Sequence, residues 1–313
     1  MAPAQKPSSP RLQLGQLKFT RPTRVQLAEW RDGYLFALPF LIGFVVFYLY
    51  PMLASAVMAF QKWDLISDAQ FVGFANITRM FTDEINLKSL YNSAFYTVFA
   101  VPLQLLVAFV VALALTQNLR FRDFYRAAFY LPIIIPIVAT AVVWQRSLNQ
   151  DYGIFSQLFG AIGVPRLPWL TDANLVKPAF IFMSLWSIGR MMVIFIAGLG
   201  NIPQSLLEAA SIDGAGKFRQ LLSITVPLMT PLILYNSIIA IINSFQTWIP
   251  ADVMTDGGPE NASLFVVLNI YRQGFRFFNM GYASALAWEL FVIVIGFTIA
   301  QFVSSRRWVY YEN

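Results

Sequence analysis

The residues of this chain that could do chemistry fall in two places. One is the run Glu208-Ala209-Ala210, followed after three residues by Gly214 and later by Pro227. Pro203 upstream suits a first helical turn, where its missing N–H costs nothing, and Leu, Glu and Ala extend that helix. Asp213-Gly214 breaks it, because Gly214 can take a positive φ, and a second helix restarts near Lys217. Ala209 and Ala210 offer a flat surface that another protein could approach closely, and Glu208 supplies one charged anchor. The same pattern also suits a surface helix that merely joins two longer ones. The other place is the polar residues set inside apolar stretches. Asn236, Asn243 and Thr247 share one helical face, with Gln246 near its edge. Amides donate to and accept from hydroxyls, and the rings of Trp248 and Trp186 could stack on the apolar face of a sugar ring. Gln104 is one more amide of this kind. The alternative use of such amides is to hold helices together. Arg190 and Glu289 are charges within apolar sequence, where each needs a reason. They could pair with one another or face a partner subunit, and Arg190 would also suit a phosphate.

Several chemistries are excluded. The sequence has no cysteine and no histidine, which removes disulfides, thiolate nucleophiles, the commonest general base and the commonest transition-metal ligands. No catalytic residue and no metal ligand is expected, and no close pair of carboxylates sits in the apolar stretches to serve an intramembrane enzyme. A phosphate-cradling loop would read G-x-x-x-x-G-K-[ST]. The nearest approach is Gly216-Lys217, with Ser211 at the first glycine position and Phe218 at the last, so no nucleotide is expected on this chain.

The elements that must position these residues are membrane helices. The 313 residues are 58% hydrophobic and 12% charged, against roughly 25% charged in a soluble domain. A spanning helix needs roughly 20 apolar residues, and six stretches qualify: about 34–60, 93–115, 124–144, 175–199, 231–248 and 282–303. The first is uncharged, too long for a secretory signal and without a cleavage pattern, so it reads as a retained helix. Pro39, Pro51, Pro102, Pro132 and Pro136 lie inside spans and are expected to kink them. With the N-terminus in the cytoplasm, cytoplasmic segments hold 13 of the 22 Lys+Arg and the outside segments 8. The net charge of +6 is therefore a topology signal and not a nucleic-acid footprint. The expected organisation is a cytoplasmic tail over 1–33, a transmembrane domain over 34–305 with a cytoplasmic loop at about 201–227, and a cytoplasmic end at 306–313, so that both termini lie inside.

The loop carries a family resemblance. Glu208-Ala209-Ala210, Gly214 and Ile224-Thr225-Val226-Pro227 resemble the EAA loop of ATP-binding-cassette (ABC) import permeases, with Val226 where the family usually has Leu. Phe71-Val72-Gly73-Phe74-Ala75-Asn76, Tyr130-Leu131-Pro132, Ala197-Gly198-Leu199, Met254-Thr255-Asp256-Gly257-Gly258-Pro259 and Gly281-Tyr282-Ala283-Ser284-Ala285-Leu286-Ala287 are similar to the carbohydrate branch, in particular to the first permease subunit of maltose-type and glycerol-phosphate-type systems. The resemblance implies an all-α integral membrane protein of type I importer (MetI-like) fold in the bacterial inner membrane. It also implies a second, different six-span permease, two ATPase subunits carrying ATP and Mg, and an extracytoplasmic binding protein that delivers the sugar. On that pattern Glu208, Ala209, Ala210, Asp213, Gly214 and Pro227 would couple to the ATPase. The resemblance leaves open glycerol phosphate or another small polar solute; a secondary carrier is an alternative from outside the family, and it would not need a docking loop with this spacing.

Overall fold

The computed structural model describes residues 23–117, 119–163 and 165–310. Residues 1–22 of the expected tail and 311–313 of the expected C-terminal end lie outside the described residues. The chain divides into two units, Met1–Ala54 and Ser55–Asn313. In the first unit runs most of helix α1 (Arg24–Met58). It begins ahead of the apolar stretch because Thr23 and Gln26 form a capping box, each side chain accepting from the other's backbone N–H. None of its residues is buried, and Phe36, Phe40 and Phe47 point outward. Pro51 does not break α1. The turn before it, Val45–Leu49, is widened, so that Tyr50 N–H reaches Val45 O, and this absorbs the missing proline donor.

The second unit opens with a short antiparallel pair, β1 (Gln61–Lys62) and β2 (Gln70–Phe71), in the register Gln61 to Phe71. Helix α2 (Glu84–Thr116) follows, capped by the Asp83 carboxylate, which accepts from the backbone of Ile85 and Asn86. It is longer than the expected span because its first turns are polar yet fully buried. Asn86, Ser89, Asn92 and Ser93 are wholly enclosed, and protein partners satisfy them. Asn86 Nδ2 donates to Met80 O and Glu289 Oε2, Asn92 Nδ2 donates to Asn261 O and Leu264 O, and Ser93 Oγ accepts from Val266 N.

The third and fourth expected spans are bent. Helices α3 (Arg122–Ile133) and α4 (Ile137–Ser147) meet at 99°. A proline disfavours the helical region for the residue before it, here Ile135, and Pro136 itself is extended, with ψ 135°. Helices α5 (Val176–Ser187) and α6 (Gly189–Gly200) meet at 48° with no proline at the joint. The cause there is contact: a Cβ on Gly189 would lie 2.4 Å from Phe129 O and 3.0 Å from Tyr130 Cα, so the α5–α6 bend rests directly on the α3 backbone. Pro39 and Pro102, by contrast, stay inside unbroken helices. Among the described residues, four helices are long and apolar enough to cross a membrane, or six if each bent pair counts as one.

Helix α7 (Gln204–Ile212) connects to α8 (Lys217–Phe245). A second widened turn, Leu221–Thr225, precedes Pro227, with Val226 N–H on Leu221 O. α8 ends at Phe245, before the expected boundary, and a short helix α9 (Ile249–Thr255) follows. The last long helix is α10 (Met280–Ser305). One core cluster gathers Tyr96, Trp144, Phe180 and Phe265. A second joins Leu115, Met192, Phe195 and Met229.

Candidate functional site: a polar cavity and an exposed turn

A cavity of about 420 Å³ lies among α2, α5, α8 and α9. Gln104 lines it from α2, Ser184 and Ser187 from α5, Asn243 from α8, and Gln246, Thr247 and Trp248 from the segment after α8. The end of α8 explains this gathering. The backbone leaves the helix at Gln246, and Trp248 takes φ −148°. Trp248, which a continued helix would turn away from Asn243, Gln246 and Thr247, therefore lines the same space as they do. Trp248 is held by its stack on Tyr271, with ring centroids 4.9 Å apart. Behind the wall, Thr97 Oγ1 and Ser244 Oγ lie 2.8 Å apart and tie α2 to α8. Among the described residues, no Asp, Glu, Lys or Arg lines the cavity. Its chemistry is that of amides, hydroxyls and aromatic faces, which suits an uncharged, hydroxylated solute.

Four residues expected along the pathway stand elsewhere. Asn236 is buried, 2% exposed, in the helix packing, and its Nδ2 has no partner. Trp186 packs edge-on against Trp144 at 6.2 Å, and its neighbour Ser187 lines the cavity instead. Arg190 is exposed in the first turn of α6 and forms no ion pair among the described residues. Glu289 accepts from Asn86 Nδ2 at 2.8 Å, so the pairing of Arg190 with Glu289 is replaced by an amide–carboxylate contact. Tyr96, Ser184 and Ser187 also line the cavity and were missed. Ser184 and Ser187, three residues apart on α5, carry the same signal as the α8 amides.

The loop after α6 is the second feature. α7 starts after Pro203 and ends in a left-handed Gly214, φ +78°. Gly214 N–H reaches Ser211 O and Ala215 N–H reaches Ala210 O, the paired bonds of a Schellman stop. Gln220 Nε2 donates to Ser211 Oγ and Ala215 O, each at 2.8 Å, and fastens the turn. Glu208 and Ala209 are exposed and Ala210 is half-buried. Asp213 caps the helix, and Pro227 stands at the widened turn that begins the next span. Ile212 is 87% exposed and Phe218 is 73% exposed beside them, so the turn presents apolar side chains as well as the exposed carboxylates of Glu208 and Asp213.

At the other end of α8, two arginines clamp the segment that follows. Arg276 bonds Asp256 and Asp252, each at 2.7 Å, and Arg272 bonds Asp256 Oδ1 at 2.9 Å. Hydrogen bonds from Arg276, then from Arg272, hold the Asp256 carboxyl below its ordinary range. In the β1–β2 loop, Asp64 is pulled down to about 2, first by the backbone N–H of Ser67 and then by its hydroxyl.

Long apolar helices around an uncharged polar cavity, with an exposed turn in the loop after α6, fit a membrane transport subunit. The chain belongs to the family of binding-protein-dependent transport system inner membrane components, whose model matches residues 87–310. It is 38% identical over 286 residues to the "Probable ABC transporter permease protein YesP" of Bacillus subtilis (strain 168), covering 90% of this chain and 92% of that one. It is 30% identical to the diacetylchitobiose uptake system permease protein NgcF of Streptomyces coelicolor, covering 91% and 86%. In fold it matches a chain of a bacterial alginate ABC transporter, solved in complex with an alginate pentasaccharide-bound periplasmic protein. The TM-score is 0.79 at 22% identity, over 91% of this chain and 98% of that one. The chain is an ABC transporter permease subunit and not an enzyme.

Proposed function

We propose that this chain forms one half of the translocation pathway of a type I sugar importer. A binding protein delivers a mono- or oligosaccharide, and ATPase subunits on separate chains drive the transport. The observation that carries the sugar reading is the cavity formed by Gln104, Asn243, Gln246, Thr247 and Trp248 without a single charged side chain. Glycerol phosphate or another anion would need a cation there, and Arg190, the residue suited to it, is not among the lining residues. The names of relatives such as the diacetylchitobiose permease agree with a sugar.

The chain crosses the membrane six times, with α3–α4 and α5–α6 as two broken spans and both termini in the cytoplasm. α7 is the coupling helix. Glu208 pairs with a basic group in a cleft of the ATPase, Ala209 and Ala210 pack close to its wall, and Gly214, Asp213 and Pro227 set the turn and the return to the membrane. ATP and Mg bind the ATPases, and this chain holds no cofactor. A second, different permease completes the pathway. Energy reaches the cavity because closure of the ATPase pair favours one permease conformation over the other.

The test is purification in mild detergent from the native host, with mass spectrometry of what accompanies the chain. Recovery of an ATPase, a second permease and a binding protein is expected, and that binding protein is then screened for its sugar. Recovery of the chain alone under crosslinking refutes the assembly. A binding protein that prefers a phosphorylated ligand refutes the sugar.

A further inference from the structure

A groove of about 680 Å³ opens at the other end of α9 from the cavity. It is built by the end of α4 with the loop after it, by residues 168–171, and by the last turn of α9 with Gly258-Pro259. α9 is the partition between the two spaces: Ile249 and Pro250 at its start line the cavity, while Met254 and Thr255 at its end line the groove. The partition is pinned from both sides. Gln145 Nε2 donates to Val253 O and Met254 O, and Arg276 holds Asp252.

We infer that this groove is a second carbohydrate subsite, outside the partition, where a sugar rests before it reaches the cavity. The inference rests on the sugar reading above. The groove's charged lining residues are Arg146 and Asp151, one of each sign, so it favours a neutral solute over an anion. Its volume lies within the range of small-molecule sites, roughly 300–1,000 Å³. Trp169 supplies an aromatic wall, steadied by Phe159 with ring centroids 6.0 Å apart, and its indole N–H is buried without an acceptor. That N–H lies beneath the groove's surface, so a sugar meets the ring face of Trp169, the kind of apolar wall that small-molecule sites use. Tyr152 OH already accepts from Arg146 Nη1 at 3.2 Å and keeps its own proton to donate. The Asp151 carboxylate forms no ion pair among the described residues and can accept from a pair of sugar hydroxyls. Gln145, by contrast, is spent on α9 and takes no part.

The chain has no cysteine, so Thr171→Cys in the groove and Ser187→Cys in the cavity are each the single thiol of this subunit, on which labelling is read after the subunits are separated. In the assembled transporter their labelling by a maleimide is timed with and without lactose, maltotriose, arabinotriose and diacetylchitobiose. At least one sugar slows labelling several-fold at both positions. Trp169→Phe, which keeps an aromatic face of smaller area, weakens protection at Thr171→Cys, and Trp169→Ala, which deletes the face, removes it. Protection at Ser187→Cys persists in both variants, which also shows that they are folded. Protection of Ser187→Cys alone overturns the groove subsite and leaves the sugar reading standing. Protection of neither overturns both. Protection of Thr171→Cys by sugar-free binding protein, with no further effect of sugar, makes the groove a protein contact and overturns the subsite.

Discussion

Gly189→Ala puts the sharpest load on the fold. The new Cβ would stand 2.4 Å from Phe129 O, whereas ordinary contact begins at 3.4 Å. The α5–α6 joint and the end of α3 must therefore separate by the difference, 1.0 Å. The obstacle is backbone, which cannot rotate aside, so the cost belongs with overpacked cores, about 1–3 kcal/mol. Gly198→Ala is the control. Its Cβ would approach Leu232 Cδ1 at 2.1 Å and Met229 Sδ at 2.9 Å, but these are ends of flexible side chains, and Met in particular gives way. Thermal unfolding of the purified chain in nanodiscs, followed by tryptophan fluorescence, reads both variants. Gly189→Ala is expected to lower the midpoint by roughly 2–10 °C and to cut uptake, because Ser184 and Ser187 flank the displaced joint. Gly198→Ala should lower it less. If Gly189→Ala unfolds with the wild type, or Gly198→Ala is the more damaging of the two, the backbone-contact argument is wrong.

Other expectations follow from the cavity, the turn and the clamp. Asn243→Ala and Gln246→Ala each remove a bond to substrate of about 0.5–1.5 kcal/mol, so the KM for uptake rises while ATPase assembly in a pull-down is unchanged; equal loss of assembly would count against a pathway role. Glu208→Lys, or Val in place of the left-handed Gly214, abolishes ATP-driven uptake in vesicles while membrane insertion stays intact, and normal uptake by either variant overturns the coupling assignment. The lowered Asp256 carboxyl means the Arg272 and Arg276 pairs contribute fully at every pH above the ordinary carboxylate range and fade as pH falls through the lowered value. Protease resistance of the segment after α9 should hold from neutral pH down to about 4 and drop below it. Asp256→Asn should show the acid behaviour at neutral pH, and a wild-type loss already near neutrality would refute this.

The stretches able to cross a membrane were legible because hydropathy over a long window reports burial in lipid directly. The turn after α6 was legible too: Pro203, the alanines, Asp213-Gly214 and the restart at Lys217 each act locally, and α7 with its left-handed stop follows them closely. The two bends were legible only by half. Pro132 and Pro136 announce the first, but the second arises where Gly189 meets the α3 backbone, and no local signal carries a contact made across sixty residues of sequence. The same limit governs the site. Asn243, Gln246, Thr247, Trp248 and Gln104 were recognisable as polar groups in apolar sequence, and they do line one cavity. Asn236 and Glu289 gave the same signal but are taken up in packing, because helical spacing reports a shared face and not the depth at which other helices cover it.

The buried start of α2 bears on how the protein is made. Asn86, Asn92 and Ser93 bond to residues 169 to 203 positions later in the chain. When α2 first leaves the ribosome, none of those partners has been synthesised. An amide held in hydrocarbon without a partner costs several kcal/mol. The polar start of α2 must therefore wait at the water interface, or under the care of the insertion machinery, until α8 to α10 arrive. The last third of the chain thus completes the second helix, and a truncation that removes α10 should leave a nascent chain marked for quality control rather than a smaller stable permease.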